Sequence, residues 1–320
     1  MSWLSGYGYC KQITINGSSA GAQSDYQLKL TVHKGSGSDS EDDVYLNNHC
    51  QDDFDDIRFT KSDGETELDH WRESYVSGDY AVFWVEFDSI PISPNTATFY
   101  MYYGNDEASS DSDGDNTWEF FSDAEEAADL DDWSAVSGCS QIERSTDQAK
   151  NGIYSFMNDE GLQSSKHTIS ESSSRRVLFW FYDVAGTTGN GPIVKADDDS
   201  TFCMIGFNYY TSTSNYAYRI GGTFYDSGIA RGTGAWHLFE FRFTTGNVKG
   251  FIDGVQIFSV SEPDTVSFLA IGTYWPTFGH NGYFDDICVG KFVDPEPTWG
   301  AWGSEETPAG GARSHGYIMG

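Results

Sequence analysis

The chain has little of several residue types that mark common protein classes. Its 320 residues include only 8 prolines, and 18 lysine and arginine residues stand against 49 aspartate and glutamate residues. The resulting net charge of -31 repels nucleic acid and anionic membrane surfaces, so we expect neither as a partner. No apolar run is long enough to span a bilayer, and membrane insertion is not expected.

Sequence motifs of common enzymes and metal proteins are missing as well. The chain contains no His-Glu-x-x-His and no phosphate-binding loop. No Cys-x-x-Cys pair is present, which argues against zinc and thioredoxin-type chemistry. The five cysteines are widely spaced and are expected to be small buried hydrophobic residues, with any disulfide pairing left open: Cys10, Cys50, Cys139, Cys203 and Cys288.

The chain is rich in residues that favour β-structure. Aromatic residues make up 16% of it, and 35 glycines supply turns. Short runs such as Tyr26–Val32 alternate apolar and polar residues with the period of a half-buried strand. The sequence therefore predicts an all-β protein with two tandem β-sandwich or jelly-roll domains and an extended Gly-rich C-terminal tail.

An acidic, turn-rich run marks the boundary between the two domains. It contains Asp111, Asp113 and Asp115 among serine, glycine and asparagine residues. We predict a first domain at 1–108 that docks or spaces, an acidic linker at 109–117 and a second domain at 118–303. Residues 304–320 are predicted to be a flexible tail or an arm that orders on a neighbouring subunit.

The first domain resembles a β-sandwich domain of unknown function that recurs in surface proteins. The resemblance rests on Trp3, the block Cys50…Phe54-x-Asp56-Ile57-Arg58-Phe59, Leu68-Asp69-x-Trp71, Phe83-Trp84-Val85 and Tyr102-Tyr103-Gly104-Asn105. It implies a fold and a neighbouring lectin-like jelly roll, and it implies no activity.

The second domain resembles concanavalin A-like, laminin-G-like jelly rolls. The matching residues are Ala235-Trp236-His237 through Phe251-Ile252-Asp253-Gly254, with Phe121-Ser-Asp123-Ala-Glu125, Asn151-Gly152-x-x-Ser155 and Phe284-Asp285-Asp286-Ile287. The resemblance implies one structural Ca²⁺ held by Asp123, Glu125 and Asp286, with backbone oxygens near Asn151. Hard oxygen ligands suit Ca²⁺. The alternative is that these acids are solvated turn residues.

Two further acidic patterns each have a simpler explanation. The alternating Asp111, Asp113 and Asp115 resemble the start of a calcium loop but lack the glutamate at its twelfth position, which favours a solvated linker. The run from Glu67 through Asp69 to Glu73 matches the Glu-x-Asp-x-x-x-Glu spelling of laminarinase-type glycosidases. It lies in the first domain, outside the jelly roll in which such enzymes carry it, so we expect no catalysis there.

Aromatic residues of the second domain are candidate sugar platforms. Tyr274 and Trp275 lie between glycine and proline residues, and Tyr216 belongs to a tyrosine-rich stretch with Tyr209, Tyr210 and Tyr218. Aromatic faces with polar rims suit sugars, although core packing and subunit interfaces use the same residues.

These patterns together indicate a non-enzymatic structural or adhesion protein. The N-terminus lacks a basic and an apolar segment of a signal peptide, which leaves a virion protein or a chain whose signal was removed. We expect display on a virion, as a tail, fibre or decoration protein, or on a cell surface. The expected partners are further copies, other virion or surface proteins, and host glycan. The alternatives are a secreted carbohydrate-binding lectin and a glycoside-active enzyme.

Overall fold

The computed structural model describes residues 2–158, 163–184, 192–197, 202–206, 214–261, 265–273 and 282–308. The all-β fold predicted from the sequence is confirmed. The chain divides into two compact units: unit 1 is Met1–Thr117 together with Pro295–Gly320, and unit 2 is Trp118–Asp294. No helix among the described residues has the length or the apolar character needed to traverse a bilayer.

Unit 1 is a sandwich of two four-stranded sheets. Its strands are β1 (Tyr9–Asn16), β2 (Tyr26–His33), β3 (Asp43–Tyr45), β4 (Arg58–Thr60), β5 (His70–Val76), β6 (Tyr80–Phe87), β7 (Thr96–Tyr103) and the short strand Thr298–Trp299. One sheet has the order Thr298–Trp299, β1, β7, β4, and the other has the order β3, β2, β6, β5. Buried rings join the two sheets, since Phe59 lies 5.9 Å from Phe83 and Phe87 lies 4.6 Å from Phe99 between ring centroids.

The segment that follows unit 2 returns to unit 1 as an edge strand. Thr298 and Trp299 pair with Asn16 and Ile15, and Glu306 N and O exchange hydrogen bonds with Cys10. The indole of Trp299 donates to Lys29 O at 2.8 Å. The sequence placed residues through 303 in the second domain, and this boundary differs because β1 offers an unpaired edge to them. The predicted tail beyond residue 308 lies outside the described residues.

The predicted linker also belongs to unit 1. Asp113 N donates to His70 O at 2.9 Å, and Arg72 N donates to Ser112 Oγ at 2.8 Å. Residues 114–117 form a single helical turn, α1 (Gly114–Thr117), and Gln27 Nε2 donates to Thr117 O. Residues 109–117 are therefore tied to the sandwich by hydrogen bonds and do not form a solvated spacer.

Unit 2 is a second, larger sandwich. Its strands are β8 (Phe120–Ser122), β9 (Ser134–Ala135), β10 (Glu143–Ser145), β11 (Ser155–Asn158), β12 (Ser164–Ser172), β13 (Arg175–Asp183), β14 (Pro192–Asp197), β15 (Phe202–Gly206), β16 (Asn215–Ile220), β17 (Thr223–Ala230), β18 (Trp236–Thr244), β19 (Asn247–Ile252), β20 (Val255–Val260), β21 (Val266–Thr273) and β22 (Gly282–Lys291), with a short 3₁₀ helix at Ala127–Asp132. The larger sheet has the order β10, β11, β22, β13, β18, β19, β20, and β8 pairs with β22. The smaller sheet has the order β17, β16, β15, β14, β21, β12, β9.

Phenylalanine residues at alternate positions build the core of unit 2. Phe179 and Phe181 of β13 are fully buried, as are Phe239 and Phe241 of β18. Phe179 lies directly opposite Phe239 in the register of the two strands. The smaller sheet meets this layer, since Tyr216 lies 5.3 Å from Phe239 between ring centroids. The period-2 alternation thus places one face of β13 and β18 in the core and the other face outside it.

Candidate functional site

Asp56 belongs to the motif on which the resemblance of the first domain rests, and its carboxylate is the centre of a buried hydrogen-bond network. This side chain is fully buried, and it accepts hydrogen bonds from Gln51 N at 3.0 Å, Gly104 N at 2.7 Å and Asn105 N at 3.2 Å. Burial raises the pKa of Asp56, and the three backbone donors oppose that shift. The motif residues near positions 50–59 and 102–105 are therefore joined for a structural reason, because the carboxylate satisfies backbone groups of two loops.

The acids of the glycosidase-like run in unit 1 have separate local contacts. Glu73 is buried, accepts a hydrogen bond from Trp84 Nε1 at 2.9 Å and lies 2.8 Å from Lys29 Nζ. Glu67 precedes β5 and lies 3.5 Å from Arg58 Nε. Glu67 and Asp69 both come before the strand that carries Glu73, and Glu73 itself lies where the β5–β6 register shifts. The three acids of the run are therefore not all carried by one strand.

The predicted calcium ligand Asp286 lies beside a second buried acid, Asp285, on β22. Both side chains are buried, since Asp285 is 0% and Asp286 is 1% exposed. Asp285 accepts hydrogen bonds from Lys150 N at 2.7 Å and from Asp286 N at 2.9 Å. Asp286 accepts one from Asn151 Nδ2 at 2.5 Å. The loop at 150–151 and the last strand of unit 2 are thus connected through two neighbouring carboxyl groups.

Asp285 and Asp286 repel each other when both carboxyl groups are ionised. Burial is the largest cause that raises the pKa of Asp285, the adjacent Asp286 carboxylate is the next, and Asp123 raises it further. Like charges at one buried position disfavour ionisation of both groups. A divalent cation would relieve this repulsion, and carboxylate oxygens are the ligands that Ca²⁺ prefers.

Glu125, another predicted ligand, contacts the backbone of the 152–154 loop. Its Oε1 accepts hydrogen bonds from Ile153 N and Tyr154 N, both at 2.7 Å. Gly152 has a φ of +63°, and a Cβ at that position would lie 2.3 Å from Glu125 Cδ. Only glycine fits this approach, so Glu125 and Gly152 form a clamp on the 152–154 loop.

The described part of the chain contains no group of three or more His, Cys, Asp and Glu side chains arranged to hold a metal ion. The linker acids are likewise not gathered. Asp113 caps α1 through Asn116 N at 2.9 Å, and Asp111 lies 3.6 Å from Arg58 Nε. Asp115 lies in the first turn of α1. The calcium loop considered for Asp111, Asp113 and Asp115 is therefore not formed, because each acid serves a separate local contact.

Tyr216, one of the predicted ligand-binding aromatic residues, is part of the core. It is fully buried, and its ring contacts His237 and Phe239 edge-on. Burial and the nearby Asp183 raise its pKa. Tyr216 cannot present its ring to a sugar in this arrangement, because it occupies a core-facing position of β16. Tyr274 and Trp275 lie outside the described residues.

A row of aromatic residues on the outer face of the larger sheet was not predicted as a site. Val177, Phe179 and Phe181 of β13 are fully buried in the core, so Trp180 and Tyr182 lie on the opposite face. Register pairing adds Trp236 and Tyr283, which are both opposite Tyr182 on the neighbouring strands. We name these four residues, Trp180, Tyr182, Trp236 and Tyr283, the aromatic face.

Three rings of the aromatic face contact one another. Tyr182 lies 5.5 Å from Trp236 at an interplanar angle of 63° and 6.0 Å from Tyr283 at 77°, measured between ring centroids. Trp180, Tyr182 and Trp236 are half-buried and keep part of their surface accessible, whereas Tyr283 is 8% exposed. Lys150 Nζ lies 4.4 Å from the Trp180 ring centroid. The sequence signal for the aromatic face was the unbroken apolar run in β13. This run places apolar residues on both faces of the strand, although only one face lies in the core.

Comparisons with known proteins find one family that matches part of this chain. Residues 53–136 match a family described as a domain of unknown function (DUF2341), a match that covers less than half of the chain. No curated protein matches the chain.

Several solved structures are similar to it at low identity. One is described as "Cellulose induced protein, Cip1", with 17% identity, coverage of 54% of this chain and 97% of that chain, and a TM-score of 0.43. Domain 4 of AbnA, a GH43 extracellular arabinanase from Geobacillus stearothermophilus in complex with arabinotriose, has 16% identity, coverage of 50% and 82%, and a TM-score of 0.37. The carbohydrate-binding module CBM66 from Bacillus subtilis has 10% identity, coverage of 50% and 96%, and a TM-score of 0.35. The similar structures thus include carbohydrate-binding and glycan-active proteins.

Proposed function

We propose that the chain is a non-catalytic adhesion protein that binds glycan through the aromatic face of unit 2. The single observation that supports this function is that Trp180, Tyr182, Trp236 and Tyr283 lie on the same outer face of the larger sheet. Aromatic side chains on regular strands offer large apolar surfaces with little conformational entropy to lose. Such surfaces suit the C–H faces of sugar rings.

The surroundings of the aromatic face favour a polar ligand over an apolar protein partner. Lys150 lies over Trp180, and the same sheet face carries Glu240 and Arg242. A few polar groups beside aromatic surface are typical of small-molecule and sugar sites. A protein interface core would instead be depleted of charged residues.

The finer parts of the proposal concern display and stability. Unit 2 would be a concanavalin A-like jelly roll, and the protein would be displayed on a virion or a cell surface together with further copies or other surface proteins. A structural Ca²⁺ would be held by Asp123 and Asp286, with Asp285 beside them, and would neutralise buried carboxylates. The rival function, a glycoside-active enzyme, predicts polysaccharide turnover by the purified chain.

Binding of the full chain to a panel of immobilised glycans tests the proposal. We expect Trp180→Ala and Trp236→Ala each to weaken binding of the glycans that the wild type selects by about tenfold or more, or about 1.4 kcal/mol. Trp180→Phe keeps a ring at that position and is expected to retain part of the affinity. Tyr225→Ala is the matched control, since Tyr225 is an aromatic residue of the smaller sheet with 44% exposure.

Two results would contradict the proposal. One is a wild-type chain that binds no glycan on the panel. The other is unchanged binding by the folded Trp180→Ala and Trp236→Ala variants. Thermal melting of each variant establishes that it is folded.

A further inference from the structure

We propose that the ligand of the aromatic face is an anionic glycan, whose carboxylate or sulfate groups contact Lys150, Arg242 and Lys249. This inference rests on the proposed glycan-binding function and adds the chemical class of the ligand. It is carried by the placement of bases on the same side of the larger sheet as the aromatic residues.

The register of the strands places these bases on one face. Arg176 lies opposite Arg242, and Arg242 lies opposite Lys249. Directly paired residues share a sheet face, and Arg176 shares its face with Trp180 through the period of the strand. Trp180 and Arg176 are four residues apart, or about 13 Å at about 3.3 Å per residue. A glycan chain of several sugar units can therefore contact rings and bases together.

Bases outnumber acids at the outer positions of three strands of this face, in contrast to the chain as a whole. The outer positions of β13, β18 and β19 within their paired stretch carry three bases, Arg176, Arg242 and Lys249, and one acid, Glu240. The neighbouring strand β22 adds Asp285, opposite Trp180. The whole chain has 18 bases against 49 acids. Charges on other surfaces are screened over about 8 Å at physiological ionic strength, so a bound anion responds mainly to the nearby bases.

The three bases proposed as ligand contacts are each partly exposed, so a ligand can reach them. Arg242 donates to Glu240 through Nε at 2.6 Å and Nη2 at 2.9 Å, and its side chain is 28% exposed. Lys249 is 31% exposed and pairs with the 48% exposed Asp294, which a ligand carboxylate could replace. Lys150 is half-buried over the Trp180 ring.

Contacts within the protein hold bases of this face in position before a ligand binds. Arg242 stacks over Phe251 at 4.2 Å, and Arg176 forms a hydrogen bond with Glu240 at 2.9 Å. Lys150 is anchored through its backbone N–H to Asp285. Bases that are already positioned lose less conformational entropy when they bind an anion. Charge-assisted hydrogen bonds to them are stronger than neutral ones.

The test compares a charged and a neutral polymer that have the same sugar backbone. The full chain is titrated with polygalacturonate and with the same polymer after complete methyl esterification. We expect at least about tenfold tighter binding of the acid form, with a preference that falls as salt is added. Lys150→Gln and Lys249→Gln are each expected to reduce this preference about threefold or more, and the double variant further.

Lys166→Gln is the matched control, because Lys166 is half-buried over the Phe268 ring at 5.3 Å on the smaller sheet. It is expected to leave the preference unchanged. Equal binding of both polymers, abolished by Trp180→Ala, would overturn the anionic ligand and leave the proposed function standing. Failure of both polymers to bind would also overturn it, and the glycan panel would then decide the proposed function separately.

Discussion

Unit 1 and unit 2 each bury an aspartate, and the two acids have opposite surroundings. Asp56 in unit 1 accepts three backbone hydrogen bonds from two loops. Asp285 in unit 2 accepts two, but it lies beside Asp286, whose charge raises its pKa. A buried carboxylate surrounded by donors stabilises a fold by itself, whereas two adjacent carboxylates gain stability from a cation. The difference separates a self-sufficient unit from one that we propose to be calcium-dependent.

The largest expected effect comes from removal of the Asp56 carboxylate. Asp56→Ala leaves three buried backbone N–H groups without their acceptor, and we expect it to lower the free energy of unfolding by roughly 3 to 5 kcal/mol. Hydrogen exchange of the full chain measures this locally, with faster exchange expected at Gly104 and Asn105. Asp52→Ala is the control, since the Asp52 side chain is 72% exposed. Equal stability of both variants would show that the hydrogen bonds to Asp56 do not contribute substantially to the stability of unit 1.

A smaller effect on the free energy of unfolding is expected when the pH is lowered and His70 of unit 1 becomes protonated. Burial lowers the pKa of His70 to about 4, and its ring packs against Phe59 and Phe83. The unfolded chain therefore binds the proton first, and stability falls as pH drops from about 6.5 to about 4, by about 3 kcal/mol in full.

Urea unfolding of the full chain at several pH values measures this contribution. His70→Phe is expected to show a weaker loss of stability in that pH range than the wild type, because Phe cannot take up a proton. His33→Gln is the control, since the His33 side chain is 25% exposed. Identical pH dependence of the wild type and His70→Phe would contradict the assignment.

The smallest of the three effects is expected from calcium on unit 2. Ca²⁺ that binds only the folded chain raises the free energy of unfolding by about 2.7 kcal/mol at about 100 times its Kd. We expect a higher melting temperature in Ca²⁺ than in chelator, and Asp286→Asn to abolish the difference. Asp113→Asn, in the capping position before α1, should leave it intact. A melting temperature that chelator does not change would remove the proposed calcium and with it the contrast between the units.

Several features were predictable because they depend on neighbouring residues in the chain. Alternating apolar residues in Tyr26–Val32 indicated a strand with one buried face, and the structure has β2 there. It was harder to predict from the sequence which distant residues come together in the fold. Glu125 was predicted as a metal ligand, yet it binds the backbone of Ile153 and Tyr154, which only the folded loop brings near. Tyr216 was a candidate sugar platform with core packing as the alternative, and it is buried; period-2 alternation does not say which face of a strand is outside.

Strand periodicity and turn residues act locally, so the β-sandwich class of this protein could be predicted from its residues. Three features became visible only in the folded chain: residues after Asp294 complete unit 1, Asp285 and Asp286 lie beside Lys150 and Asn151, and the aromatic residues of β13, β18 and β22 share one surface. They could not be predicted because strand pairing joins segments far apart in the chain, and no local pattern specifies which strands become neighbours.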